Sequence, residues 1–109
     1  MTLNEYQNLA MMTANKELDI LDLTLDGLMG LNGEAGECID IMKKYLYQGH
    51  ELDIDGLFNE LGDVLWYLAI TVQALGTDME YIAERNISKL RKRYPNGFET
   101  ERSINREEV

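Results

Sequence analysis

Residues 30–44 read GLNGEAGECIDIMKK, and residues 59–70 read NELGDVLWYLAI. Each stretch contains a pair of carboxylates three residues apart, a spacing that places both side chains on one face of an α-helix. At about 100° per residue, the neighbours of each pair on that face are mostly apolar or small. We therefore expect both pairs to point inward. The pairs are Glu34 with Glu37 and Glu60 with Asp63. The first stretch also holds Asp40, which falls on the opposite face.

Inward-facing carboxylates repel one another and lose their hydration. The cost is several kcal/mol per ion, whereas a whole domain has only about 5–15 kcal/mol of net stability. A hard divalent cation, Mg²⁺ or alternatively Mn²⁺, has the oxygen preference that fits four such ligands. Salt bridges to basic side chains are the alternative, although few bases fall on these faces. The single histidine, His50, lies outside both stretches, which disfavours a di-iron site built on Glu-x-x-His.

Capping signals divide the chain into four helical segments. The segments are predicted over residues 2–15, from 21 or 26 to 47, after Asp55 to Gly76, and from 77 to Pro95. Short connections between them predict an all-α, four-helix antiparallel bundle. We expect residues 1–97 to form this one domain and residues 98–109 to form a polar C-terminal tail.

Glycine recurs every third residue at the start of the second segment, beginning with Gly27 and Gly30. Each glycine inside a helix costs about 1 kcal/mol relative to alanine. Close approach of a neighbouring helix or of a ligand would explain them. Alternatively, these two glycines precede the helix, in a loop.

The charge balance excludes some partners. Twenty acidic residues against ten basic ones give a net charge of −10, which disfavours binding to a nucleic-acid polymer.

No apolar run approaches the roughly 20 residues that span a bilayer. The single Cys38 and an N-terminus without a signal-peptide pattern predict a cytoplasmic protein. The third helix is apolar on nearly every side, which predicts a homodimer or homotetramer.

The order Glu-x-x-Glu, a spacer, then Glu-x-x-Asp resembles the MazG-like nucleotide pyrophosphohydrolases of the all-α NTP pyrophosphatase superfamily. The two opening strings resemble the metal-binding helices of that family. Residues 86–98, NISKLRKRYPNGF, resemble its substrate-contacting fourth helix, and residues 5–14, EYQNLAMMTA, resemble its first. The resemblance covers residues 2 to 100 of the chain.

The resemblance implies a Mg²⁺-dependent enzyme that hydrolyses a nucleoside triphosphate between the α- and β-phosphates, giving a monophosphate and pyrophosphate. Removal of unwanted nucleotides, or house-cleaning, is one role consistent with this activity. Either Glu37 or Glu60 would accept the proton of the attacking water. The implied metal ligands are Glu34, Glu37, Glu60 and Asp63, and the implied substrate contacts are Asn86, Lys89 and Arg93. Lys44, which follows the first acid pair, is a further candidate for a phosphate contact.

The spacing of Asn86, Lys89 and Arg93 independently places them on one helix face. A solvated basic helix end, which favours the helix dipole, is the alternative explanation. Lys44 is equally consistent with an ordinary surface lysine. Trp66 and Tyr67 fit packing better than stacking on a nucleobase, because such rings bury a large area.

Three other functions are compatible with the pattern, one of them a regulatory dNTP sensor that retains an enzyme-like fold. Phosphoribosyl-ATP pyrophosphohydrolase uses a similar bundle and a similar set of acids. A non-catalytic acidic helical module, such as a DNA mimic, would suit the net charge. A mimic, however, would display its carboxylates outward.

Overall fold

The computed structural model describes residues 1–106, which form five α-helices and no strand. The predicted all-α class is confirmed. The helices are α1 (Leu3–Ala10), α2 (Ile20–Tyr47), α3 (Ile54–Ala74), α4 (Met79–Arg93) and α5 (Thr100–Ile104), with a short 3₁₀ turn at Met11–Thr13. None of these helices combines the length and the apolar character needed to cross a membrane.

Side-chain oxygens cap the first four helices. The hydroxyl of Thr2 accepts the Glu5 N–H, as predicted for α1. The third helix was expected to follow Asp55, which was wrong by two residues, because Asp53 accepts the Gly56 N–H at 2.9 Å and caps α3 instead. Two aspartates two positions apart offer the same capping chemistry, and only the backbone geometry chooses between them. Asp19 and Asp78 cap α2 and α4.

α2 and α3 form an antiparallel pair in which two glycines of α2 face α3. A methyl group at Gly27 would overlap the hydroxyl of Thr71, and one at Gly30 would overlap the ring of Tyr67. Both glycines lie inside α2, since this helix begins at Ile20. The loop explanation is therefore wrong, and close approach of a neighbouring helix is the correct one.

α1 and the start of α4 cover the C-terminal half of α3 and form the core there. The Trp66 indole N–H donates to the Ala10 carbonyl at 3.1 Å and to the Thr13 hydroxyl at 2.9 Å. Trp66 is thus held against the end of α1, in agreement with the packing interpretation. The buried apolar residues of this core are Ala10, Ala69, Val72 and Met79.

One buried amide ties α1 to the α3–α4 connection. The Gln7 side chain is 3% exposed. Its Nε2 donates to Gln73 Oε1 at 2.8 Å and to the Thr77 carbonyl at 3.0 Å, and its Oε1 accepts the Met79 N–H at 2.7 Å. Beside it, the Asn4 and Glu80 side chains each accept the backbone N–H of the other residue, both at 3.0 Å. Helices α1 and α4 therefore cap each other.

The described chain leaves long apolar faces uncovered. On α2, an exposed stripe lies opposite the face that carries Glu34. The apolar face of α3 packs into the core in the C-terminal half of the helix, but it is bare, that is exposed, near the start of the helix. The radius of gyration is 17.0 Å, against about 13 Å for a compact chain of this size. The predicted four-helix bundle stays a prediction. The stripe on α2 is Leu21, Leu25, Leu28, Ile39 and Leu46, and the bare residues of α3 are Ile54, Phe58 and Leu61.

Within the predicted C-terminal tail, residues Thr100–Ile104 form the short helix α5. Gly97, at φ 89°, turns the chain after α4, and its N–H donates to the Tyr94 carbonyl at 3.2 Å. The rings of Tyr94 and Phe98 contact across this turn, with centroids 5.6 Å apart. The last three residues of the tail lie outside the described residues.

Candidate metal centre

Three of the four predicted acids meet between α2 and α3. Carboxylate oxygens of Glu34, Glu60 and Asp63 all lie within 4.8 Å of one another. We call these three residues the acid cluster. The antiparallel pairing that places Gly30 against Tyr67 brings Glu34, one turn further along α2, opposite the preceding turns of α3. The tight helix contact at the glycines thus sets the register that forms the cluster.

The carboxyl groups of the acid cluster lie close enough to affect the pKa of Glu34. The hydrogen bond with Glu60, then burial, then the charges of Glu60, Asp63 and Glu37 raise the pKa of Glu34 to about 7. A carboxyl with its ordinary pKa would be ionised at neutral pH, whereas the raised pKa of Glu34 favours its protonated form. A proton therefore partly substitutes for a cation at this position.

The donor set fits a hard divalent cation. All three side chains offer oxygen, which Mg²⁺ and Mn²⁺ prefer. Glu34 Oε2 is buried and has no hydrogen-bond partner among residues 1–106. A buried polar atom without a partner is rare in proteins, and a cation held between the carboxylates would satisfy it.

Glu37 lies apart from this group. Glu37 is exposed, as is Asp63, so the expectation that all four acids point inward is wrong for these two residues. Unlike Asp63, Glu37 does not join the acid cluster, although its charge contributes to the raised pKa of Glu34. A spacing of three residues turns a side chain about 60° around the helix, enough to take Glu37 towards solvent. Its role as a fourth ligand stays a prediction.

Tyr6 is a neighbour of the cluster that the sequence did not single out. Burial raises the pKa of the Tyr6 phenol, and the charge of Asp63 raises it further. Tyr6 reaches this position because Gln7, the next residue, is tied to the α3–α4 connection. The only signal in the sequence was the predicted first helix itself, which gave no indication of where α1 would dock.

The predicted substrate contacts lie outside the acid cluster. Asp40 pairs with Lys44 at 2.9 Å and with Lys43 at 3.2 Å. The hydrogen bond with Asp40 raises the pKa of Lys44. On α4, Asn86 is exposed, whereas Lys89 and Arg93 are half-buried. No hydrogen bond or ion pair within the described chain joins any of these residues to the cluster.

The family model for the MazG nucleotide pyrophosphohydrolase domain matches residues 25–98. This chain belongs to that family. The Gene 37 protein of Mycobacterium phage L5 is similar, with 38% identity over an alignment of 73 residues; the match covers 63% of this chain. The match spans 64% of the phage protein, less than two thirds of its length. No solved structure matches the chain.

The MazG domain match includes the acid cluster, Glu37 and all of α4. It leaves two α-helices wholly outside, α1, which carries Tyr6, and α5, together with the 3₁₀ turn and the first residues of α2. The shared part of the MazG domain is therefore the α2–α3 pair together with the helix that follows it.

Proposed function

We propose that this chain is a Mg²⁺-dependent nucleoside triphosphate pyrophosphohydrolase. It cleaves a (d)NTP between the α- and β-phosphates and releases a (d)NMP and pyrophosphate. The observation that carries the proposal is the meeting of Glu34, Glu60 and Asp63, with a buried Glu34 oxygen that lacks a partner among the described residues. Membership of the MazG family supports phosphoanhydride hydrolysis as the class of reaction.

The acid cluster, joined by Glu37, would hold Mg²⁺, with Mn²⁺ as the alternative ion. When bound, such an ion neutralises phosphate charge and lowers the pKa of a coordinated water. Protein groups that are already oriented then lower the barrier without reorganising during the reaction. The short distances within the cluster supply that orientation.

Glu37 and Glu60 are the two candidates for the base that accepts the proton of the attacking water. Glu60 is half-buried and close to Glu34, so its position is fixed by α2 and α3 together. Glu37 is exposed and can reach bulk solvent, which would let it pass the proton on. Comparing Glu37→Gln with Glu60→Gln distinguishes them, since the true base loses turnover with little change in substrate KM.

Four polar side chains are proposed to bind the substrate. Lys89 and Arg93 would offset charge on the departing pyrophosphate. Lys44 would have to exchange Asp40 for a phosphate, because the two form an ion pair in this structure. The full set is Asn86, Lys89, Arg93 and Lys44.

A second copy of the chain completes the fold in this proposal. The exposed stripe on α2 and the bare start of α3 are too apolar to face water along such lengths. Packing two or four chains through these faces gives the predicted homodimer or homotetramer, with the helices arranged as a bundle. Substrate sites would then lie near the subunit interfaces.

The test is product analysis with a panel of NTPs, dNTPs and phosphoribosyl-ATP, each with Mg²⁺ and with EDTA. We expect pyrophosphate and a monophosphate in equal amounts, only with the metal present. Hydrolysis of phosphoribosyl-ATP alone would assign the chain to the related activity of histidine biosynthesis. Release of orthophosphate, or no reaction with any compound, would refute the proposal.

Matched glutamates provide the control. Glu60→Gln should abolish turnover, because it removes one charge from the acid cluster. Glu51→Gln makes the same chemical change in the exposed connection before α3 and should leave turnover unchanged. Activity of Glu60→Gln within tenfold of the wild type would contradict the assignment.

A further inference from the structure

Basic residues are concentrated at one end of this acidic chain. Seven of its ten lysines and arginines lie between positions 85 and 109, together with four of its twenty acidic residues. The local charge is therefore positive although the whole chain carries −10. A concentration of one sign against the sign of the molecule indicates attraction of an oppositely charged ligand.

Part of this charge lines a cleft between the end of α4 and α5. The turn at Gly97, closed by the contact of Tyr94 with Phe98, folds α5 back towards α4. The cleft is open to solvent and has a volume of about 460 Å³, within the range of about 300–1,000 Å³ usual for small-molecule sites. We call it the basic cleft. Its charged lining residues are Lys92, Arg93, Arg102, Arg106, Glu99 and Glu101.

The cations of the basic cleft outnumber its acids and are only partly neutralised by them. Arg102 Nε is 3.8 Å from Glu99 Oε1, too long for a hydrogen bond, and both side chains are half-exposed. Arg93 Nε is buried and finds no acceptor among residues 1–106. A buried guanidinium N–H without an acceptor is costly, so a bound anion would satisfy it.

We propose that the basic cleft binds a phosphate-bearing small molecule through Arg93, Arg102 and Arg106. The guanidinium group presents paired N–H donors whose spacing matches two phosphate oxygens. Three such groups around one cleft suit a diphosphate or a longer chain better than a single carboxylate. Pyrophosphate and the phosphates of a nucleotide share this chemistry. The acid cluster contributes no residue to the cleft. Arg93 is also one of the proposed substrate contacts, so the inference rests on the proposed function for that residue, whereas Arg102 and Arg106 lie outside that set.

Binding is measured by isothermal titration calorimetry in EDTA at low salt, so that no metal-bridged complex forms at the acid cluster. Pyrophosphate, orthophosphate, a nucleoside triphosphate and a nucleoside monophosphate are titrated separately. We expect pyrophosphate or the triphosphate to bind one per chain, and orthophosphate to bind more weakly. If the triphosphate binds and pyrophosphate does not, the ligand is a nucleotide; equal binding of the two identifies the polyphosphate alone.

Substitutions of Arg102, in α5, and of Arg106, just after it, test whether these side chains bind the ligand. Arg102→Gln and Arg106→Gln should each weaken binding about tenfold, because each removes a charge-assisted contact. Arg102→Lys keeps the charge but loses the paired donors, so it should also weaken binding. Arg91→Gln removes the same charge from α4 outside the basic cleft and should change affinity less than twofold.

The inference fails if the wild-type chain binds none of the four compounds, or if Arg91→Gln weakens binding as much as Arg102→Gln. It also fails if Arg102→Gln alters the oligomeric state and not anion binding, since the cleft would then hold the acidic surface of another chain. Mg²⁺-dependent hydrolysis is measured on the same variants. Hydrolysis without anion binding in EDTA would refute only this inference, and anion binding without hydrolysis would refute only the proposed function.

Discussion

Adding one methyl group at Gly27 would separate the two helices that hold the acid cluster. The new carbon of Gly27→Ala would overlap the Thr71 hydroxyl and would lie 3.1 Å from Thr71 Cβ and 3.4 Å from its Cα. Thr71 is only 5% exposed, and its Cα is part of α3. The overlap therefore cannot be relieved by a side-chain rotation alone, and α3 has to move away from α2.

The expected loss of stability follows from two opposing effects. Alanine is favoured over glycine inside a helix by about 1 kcal/mol, whereas overpacking a tight contact costs about 1–3 kcal/mol. Because both the hydroxyl and Cβ of Thr71 are too close, we expect the upper end of that cost and a net loss of about 2 kcal/mol. At about 4 °C per kcal/mol for a chain of this size, the melting temperature should fall by about 8 °C.

Gly33→Ala is the matched control, because a methyl group there meets no atom within 4 Å. It should gain up to about 1 kcal/mol from helix propensity and raise the melting temperature by about 4 °C. Unfolding is followed by circular dichroism at one protein concentration, since association changes apparent stability. The double variant Gly27→Ala/Thr71→Ala should lose less stability than the sum of its single changes. Strict additivity, or a Gly27→Ala chain as stable as the wild type, would refute the close-contact explanation.

Three further predictions concern the metal, the pH and the assembly. Mg²⁺ should raise the melting temperature of the wild type by binding only the folded chain. Mg²⁺ should not raise the melting temperature of Glu60→Gln, whereas it should raise that of Glu51→Gln. A rise in Glu60→Gln equal to that of the wild type would contradict the acid cluster as the binding site. The pKa of Glu34 lies near 7 when folded, above its ordinary 4.5. Between pH 4.5 and 7 the folded chain therefore keeps a proton on Glu34 that the unfolded chain has lost. In the absence of metal, the contribution of Glu34 to the free energy of unfolding falls as the pH rises through this range. Mg²⁺ has to displace that proton, so its thermal shift should be larger at pH 8 than at pH 6, and equal shifts would show that Glu34 is not a ligand. Phe58→Glu places a charge on the bare start of α3, where the side chain is 64% exposed, and should convert the assembly to monomers by light scattering. Asn8→Glu changes an exposed residue of α1 and should leave the assembly intact; a monomeric wild type would refute the oligomer.

Local signals in the sequence were sufficient for most of the helices. Thr2 caps α1 at the start of the first predicted segment, and Gly76, at φ 80°, follows α3 at the predicted end of the third. Both signals depend on a few neighbouring residues. α5 was missed because a polar segment of five helical residues has too little periodicity to be recognised.

The sequence predicted which site residues share a helix face, but not how the helices pack against one another. Helical spacing placed all four acids on inward faces, whereas the structure leaves both Asp63 and Glu37 exposed and brings only Asp63 into the acid cluster. The difference arises from how α2 is rotated against α3, which the contact at Gly30 determines. Tyr6 and the basic cleft depend on where α1 and α5 dock, and no spacing within one helix carries that information.

The hydrogen bonds of Gln7 give the N-terminal segment a particular mode of opening. Because the Met79 N–H has Gln7 as its acceptor, this amide can exchange with solvent only when α1 detaches from the α3–α4 connection. The same event withdraws Tyr6 from Asp63 and breaks the mutual caps of Asn4 and Glu80. Hydrogen exchange at the single amide of Met79 would therefore report how often the acid cluster loses its neighbour on α1, as one cooperative local unfolding.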